Sequence, residues 1–545
     1  MSMITATVWV PRGVAASFPK KSEFDEEEFR RIAKLAKLQL QEANDDLDDA
    51  QKCDAIRLDS KDNKSFTVEE ATSKNIQSID EHDDDLREYD LEHYDDDVLD
   101  EKDDEGSSMG IFSNFKSLVY HQSNKDDPYI TMHENEEDDE EREDLQILAT
   151  DNLLLTAKVE DEISHLEIYV YEDEADNLYV HHDIMLPAIP LCVERLDFAV
   201  GKQTVDQTAV SNFVAVGTFD PDIEIWDLDT IDCMYPNAIL GQGGDMPNSD
   251  SESHPKKKKK KSKKSNDKYH VDSVLALASN RQHRNLLASA SADKTVKLWD
   301  LNTAKCAKSY SQHSDKVCSL QWHPSESTIL LSGSYDRTVV AADMRAPESK
   351  APTWGVESDV EMVKWDPHNS NFFFIATEGG MVHYHDIRNA PISPANSKPT
   401  WVLQAHDSSV SAFDVNPIIP GFISTGSTDR QVKLWNILPS GPSMVVSRDL
   451  DVGKVFSANF APDKEVGFRL AVAGSKGTVQ IWDTSTNPAV RKAFVDRIGT
   501  DIDERKERLV GVQSDGSDES DDEVDQNSTQ HEKDTEQGWE SMDEN

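Results

Sequence analysis

The sequence predicts an all-β chain folded as one seven-bladed β-propeller, with a long disordered acidic insertion and an acidic tail. Three observations predict it. A strand–turn–strand pattern ending in Trp-Asp recurs along the chain, seven short apolar strands recur with it, and the excess negative charge lies outside both. A repeat of about 40–45 residues of this kind marks radially stacked four-stranded blades, none of which buries its faces alone.

The reference copy is Leu286–Thr303, LLASASADKTVKLWDLNT: a small-residue strand, a tight Ala-Asp-Lys turn, and an alternating strand ending at Trp299-Asp300. Corresponding third strands end at Trp226-Asp227, Ala342-Asp343, His385-Asp386, Trp435-Asn436 and Trp482-Asp483, with LEIYVYED (Leu166–Asp173) a weaker copy before them. This ending makes the propeller WD40-type. The inner strands share apolar residues at positions one, four and six and a proline at eight. VCSLQWHP (Val317–Pro324), VEMVKWDP (Val360–Pro367), VSAFDVNP (Val410–Pro417) and VFSANFAP (Val455–Pro462) show this in full. VERLDFAV (Val193–Val200) and VLALASNR (Val274–Arg281) keep the spacing without the proline. ITATVWVP, Ile4–Pro11, fits as the seventh, which makes residues 1–14 the first inner strand and 15–145 an insertion inside the first blade. The propeller proper is then 146–495, interrupted by a Lys-rich loop at 241–268, and 496–545 is the tail.

Formal net charge is −49, from 105 Asp+Glu against 56 Lys+Arg. Residues 81–105, 134–144 and 514–545 carry most of that excess, and such self-repelling blocks expose too little apolar surface to offset ordering entropy. Two islands in the insertion differ. Ser22 is placed to cap a helix near 23–41 that carries Phe29, Ile32, Ala36 and Leu40 at helical spacing, a stripe for a partner or for the propeller itself. Met109–His121 sets Phe112, Phe115 and Val119 on one helical face as a docking segment.

The Lys-rich loop holds Lys256, Lys257, Lys258, Lys259, Lys260, Lys261, Lys263 and Lys264. A flexible, reachable basic run reads as a nuclear import signal, or else as a phosphate contact; no aromatic residues are interleaved to stack on bases. In the tail, Ser517 and Ser520 precede acidic residues as an acid-directed kinase requires. Cys53, Cys192, Cys233, Cys306 and Cys318 form no C-x-x-C pair, so a reducing compartment and no zinc module are expected, and no cofactor. No run of 18 apolar residues predicts a membrane span.

Within the blades His270, Asp293 and Trp299 are separated by 23 and 6 residues; His406, Asp429 and Trp435 repeat both separations, and His313 and Asp336 repeat the first. A His–Asp pair suits general-base chemistry. Catalysis, however, needs one constellation, whereas a relay that satisfies buried polar groups is needed in every blade, so these residues are expected to be structural. Ala342 and His385 replace the tryptophan in two blades, which are expected to be the least regular, with Arg345 and Arg388 as exposed strand-end charges. Phosphate-binding Gly-Lys-Ser/Thr, G-x-S-x-G and H-E-x-x-H motifs are absent, and no enzyme is expected.

With ITATVWVPRGVA, SNKDDPYITM (Ser123–Met132), YVHHDIMLPAIPL (Tyr179–Leu191) and KVFSANFAPD (Lys454–Asp463), the chain resembles the periodic tryptophan protein family. The resemblance implies a nucleolar protein that associates with precursors of the large ribosomal subunit and is needed for processing of their rRNA. As a scaffold, the chain is expected to engage basic ribosomal or assembly proteins through its acidic segments, and its net charge is expected to leave rRNA contact indirect. The resemblance also implies an alternative, histone contact in chromatin.

Overall fold

The computed structural model describes residues 2–22, 143, 145–200, 211–241, 266–346, 350–494, 497 and 508–511. Seven four-stranded antiparallel sheets form the blades of one ring. Blade 1 is Ser2–Val10, Asn152–Glu160, Ile163–Glu172 and Asn177–Leu186; blade 2 is Pro190–Leu196, Phe213–Thr218, Ile223–Asp227 and Ala238–Leu240. Blades 3 to 6 follow with inner strands at Val274–Ser279, Val317–Trp322, Val360–Trp365 and Val410–Val415. Blade 7 joins Val455–Phe460, Arg469–Gly474 and Val479–Asp483 to Arg508–Gly511.

Three boundaries differ from the sequence expectation. Arg508–Gly511 lies beyond 495 yet supplies the outer strand of blade 7, with Leu509 opposite Trp482 and Val510 buried. Four residues with charged neighbours carry too little periodicity to announce a strand. Residues 15–22, assigned to the insertion, are docked: Ala16 N–H donates to Asp229 Oδ1 at 3.0 Å, and Lys20–Lys21 pairs in parallel with Thr230–Ile231. The inner strand of blade 2 starts at Pro190, not Val193. Pro190 faces Thr218 with a bulge after it, as Val274 faces Ser291, so Pro190 holds position one and Arg195 position six. Pro190–Val193 and Val193–Leu196 offer the same three-residue apolar spacing, and only pairing separates them.

The apolar core lies largely between blades. Ile4, Trp9, Leu154 and Tyr171 of blade 1 pack with Ala461, Ala471, Val479 and Ile481 of blade 7. Inner strands leave one edge unpaired toward the channel, and side chains of the neighbouring blade satisfy it. The position-six N–H is accepted by the position-five side chain of the preceding blade: Ser279 by Glu194 at 3.0 Å, Phe460 by Asp414 at 2.9 Å, and Trp365 by Gln321. Position-six indoles donate to the position-five carbonyl of the preceding blade, Trp322 to Ala278 at 3.0 Å, Trp365 to Gln321 at 3.3 Å and Trp9 to Asn459 at 3.0 Å.

That last bond closes the ring, and among the described residues no strand is shared across the joint. Thr7 Oγ1 meets Ser457 Oγ at 2.7 Å and Asn459 Nδ2 donates to Thr7 O at 2.7 Å. Farther out, Arg469 bridges Asp173 at 2.8 Å and Asp483 at 2.6 Å. Gly477 takes φ +72°, where a side chain is strained, and a Cβ there would overlap Ser2.

Strand alternation also sorts the loops. Connections between blades and turns between second and third strands lie on one face, here the relay face; first-to-second and third-to-fourth connections lie on the other. The chain therefore leaves blade 2 at Gly241 and re-enters at Asn266 on the relay face. It leaves at Ser22 and returns toward Asn152 on the opposite face.

Candidate functional site

In blade 3 the connecting loop brings His270 over the sheet, and the second-to-third turn supplies Asp293. His270 Nδ1 lies 3.0 Å from Asp293 Oδ2 and Nε2 lies 2.6 Å from Ser289 Oγ, which also accepts the Trp299 indole N–H at 2.8 Å. One proton assignment satisfies all three bonds: Nδ1–H donates to the carboxylate, and Ser289 O–H donates to Nε2. Burial, the largest influence, works to raise the Asp293 pKa, but hydrogen bonds from His270 and Thr295 outweigh it and hold the carboxyl at about 2. Burial lowers the pKa of His270, which keeps the ring neutral.

Blade 6 repeats the set: His406 meets Asp429 at 2.9 Å and Thr425 Oγ1 at 2.9 Å, and Trp435 donates to Thr425 Oγ1 at 3.0 Å. In blade 4 His313 meets Asp336 at 3.2 Å and Ser332 Oγ at 2.8 Å, with Ala342 in the indole's place. Sequence reasoning missed the shared hydroxyl. Its signal was present, since Ser289, Ser332 and Thr425 each stand four residues before the aspartate.

Ser289–His270–Asp293 has the order of a nucleophilic triad. Ser289 is 0% exposed and His270 1%, and the indole N–H occupies the hydroxyl oxygen, so no substrate carbon can approach it. What the set does is fasten the interblade loop to the second strand and its turn.

The remaining blades depart from this set in different ways. Blades 1 and 2 place a glutamate two residues before the aromatic: Tyr169 O–H donates to Glu167 at 2.6 Å and Trp226 Nε1–H to Glu224 at 3.1 Å. Burial works to raise both pKa values. Hydrogen bonds from His165, Tyr169 and Lys158 bring Glu167 down to about 2, whereas burial, aided by the charges of Asp220 and Asp222, outweighs the Trp226 hydrogen bond and pushes Glu224 up to about 7. A folded-state value above the unfolded one means stability is full below pH 4.5 and falls as pH rises toward 7. Glu224→Gln is therefore expected to raise the unfolding free energy at pH 8 by about 3 kcal/mol and to change it little at pH 4.5, as read from urea midpoints.

In blade 5 His385 holds the indole's place, stacked on Phe373 at 5.6 Å, with Ile375 where the hydroxyl stands elsewhere. Neither ring nitrogen has a hydrogen-bond partner among the described residues, and burial, aided by His383, lowers its pKa to about 4. Arg345 and Arg388 chelate their own strand-end aspartates, Asp343 at 2.8 Å and Asp386 at 2.8 Å, and are 72% and 62% exposed. Lys256–Lys261, Lys263, Lys264, Ser517, Ser520, the helix near 23–41 and the 109–121 island lie outside the described residues. Among the described residues no three His, Cys, Asp or Glu side chains converge on a metal-sized site, and no helix is long and apolar enough to cross a membrane.

The WD domain, G-beta repeat model matches residues 263–300, 304–340 and 397–436. These are the blades that hold His270–Asp293, His313–Asp336 and His406–Asp429. An uncharacterized WD repeat-containing protein of Schizosaccharomyces pombe is 49% identical over 96% of this chain and 97% of its own. Periodic tryptophan protein 1 of Saccharomyces cerevisiae is 38% identical over 90% of each chain. The chain belongs to the periodic tryptophan protein 1 family. The Drosophila melanogaster homolog of periodic tryptophan protein 1 is 28% identical over 91% of this chain and 96% of its own. For a member of the periodic tryptophan protein 1 family, a match across nine-tenths of both chains spans the acidic insertion as well as the blades.

Proposed function

We propose that this protein is a non-enzymatic scaffold in ribosome biogenesis, which associates with large-subunit precursors in the nucleolus and supports rRNA processing. The observation that carries this reading is membership of the periodic tryptophan protein 1 family over nine-tenths of both chains. The physical features agree with it. The three His–Asp sets are spent on fastening loops, leaving two loop-bearing faces for partners.

A net charge of −49 favours basic ribosomal and assembly proteins as partners, by steering encounter and opposing wrong contacts. The same charge weakens binding to naked RNA, so protein contacts carry the association. Lys256–Lys264 supplies the import signal that brings the chain to the nucleus. In gradient sedimentation of cell extract the tagged protein is expected in large-subunit precursor fractions, and its depletion is expected to accumulate rRNA intermediates. Absence from those fractions with unchanged intermediates would sink the proposal; salt-stable binding confined to one modified histone tail would move the protein to chromatin.

A further inference from the structure

On the face opposite the relays, blades 2 and 3 bring three arginines together. Arg195 is the next-to-last residue of the inner strand of blade 2, and Arg281 and Arg284 stand in the loop between the first two strands of blade 3. Arg284 Nε lies 3.1 Å from Asp197 Oδ2, which draws the blade 3 loop against the end of the blade 2 strand. Arg195 holds position six. Blades 1, 4, 5, 6 and 7 place Trp9, Trp322, Trp365, Val415 and Phe460 there as wedges between blades, so a guanidinium at this place is not explained by packing.

Neither nearby carboxylate belongs to Arg195. Glu194 is committed to Ser279, accepting its N–H at 3.0 Å and its O–H at 2.6 Å, and Asp197 is committed to Arg284. The buried Nε of Arg195 has no hydrogen-bond partner among the described residues. Burial and then the charge of Arg281 lower its pKa; the charges of Asp197 and Glu194 oppose this, and Arg284 adds to the lowering. A half-buried guanidinium whose Nε has no acceptor among the described residues, and whose pKa stays lowered beside two arginines despite Asp197 and Glu194, is relieved by an anion that takes N–H bonds from more than one arginine at once. Phosphate does this with fixed, bidentate geometry.

We infer that Arg195, Arg281 and Arg284 form a phosphate-binding site that grips the backbone of a single RNA strand on the face opposite the relays. This inference rests on the large-subunit assembly reading, which supplies RNA as the polyanion. It also places one direct RNA contact on a protein whose overall charge repels RNA. Phosphate contacts position a strand without reading its sequence, so the site holds register on the precursor and does not select bases.

The test is fluorescence anisotropy of a short labelled single-stranded RNA with the full-length chain over a salt series. The double variant Arg195→Gln/Arg281→Gln is expected to bind about tenfold more weakly or worse and to lose about 1.4 from the log–log salt slope, for two phosphate contacts on a single strand. Arg281→Glu alone, at an exposed loop position, is expected to show the same direction with an unchanged unfolding midpoint. Unchanged affinity and slope in both variants overturn the site, as does loss of binding only when Lys256–Lys264 are replaced. Sedimentation is scored separately. A chain that still travels with large-subunit precursors while these variants bind RNA normally removes the site and leaves the assembly reading standing.

Discussion

Trp9→Ala is expected to lower the unfolding free energy by about 3–5 kcal/mol, and deletion of Ser2–Val10 to leave no closed ring. Trp9 is a wedge in the joint between blades 7 and 1. It is buried against Tyr171 with ring centroids 6.0 Å apart and gives its indole N–H to Asn459 O. Because no strand among the described residues spans this joint, side chains hold it, and the inner strand presents Ile4, Thr7 and Trp9 to blade 7 together. Truncation to alanine opens a cavity at the joint and leaves a buried carbonyl without its donor. Urea unfolding followed by tryptophan fluorescence measures the first effect. A midpoint equal to the parent's would mean that the polar bonds of Thr7 and Asn459 close the ring unaided. Limited proteolysis measures the second, with protection of the blade 1 strands Asn152–Leu186 lost in the deletion.

The next largest effect is expected from Thr425→Val. Volume is nearly unchanged, but the oxygen shared by His406 and Trp435 disappears, and two buried nitrogens lose their partners at about 1–3 kcal/mol each. Thr425→Ser keeps the oxygen and is expected to retain most of the stability. If valine and serine prove equivalent in urea midpoints, the relay contributes nothing beyond packing. The parent should also weaken in acid. The folded-state pKa values of His270, His406 and Asp293 all lie below their unfolded ones, so their stabilisation is present at neutral pH. It declines as pH falls below about 6.5 for the histidines and from 3.8 toward about 2 for Asp293.

The seven inner strands and the third-strand endings were legible because both follow from burial, which imposes an apolar period on each strand. The details that escaped are set by pairing and by hydrogen-bond partners in other strands. Pro190 and Val193 satisfied the same spacing, and only the bulge opposite Thr218 chose between them. Arg508–Gly511 is a strand because the third strand of blade 7 offers it an open edge, which four residues cannot signal alone. The relay was half visible: its histidines, aspartates and tryptophans are distinctive residues, while its serine and threonine hubs are common ones. The arginine site was invisible, because Arg195 and Arg284 stand 89 residues apart in the sequence and lie on two different blades.

The placement of Ser2–Val10 beside Asn152–Glu160 also has a meaning in time. At about 5–20 residues per second a growing chain waits about 8–30 s between releasing its first strand and releasing the partner for it. The joint with blade 7 completes only after Gly511, about 25–100 s into synthesis. Until Asn152–Glu160 emerges, a nine-residue strand carrying Ile4, Val8, Trp9 and Val10 is free to pair with any edge it meets. The newborn protein therefore depends on an escort, or on speed, before it can depend on its own fold.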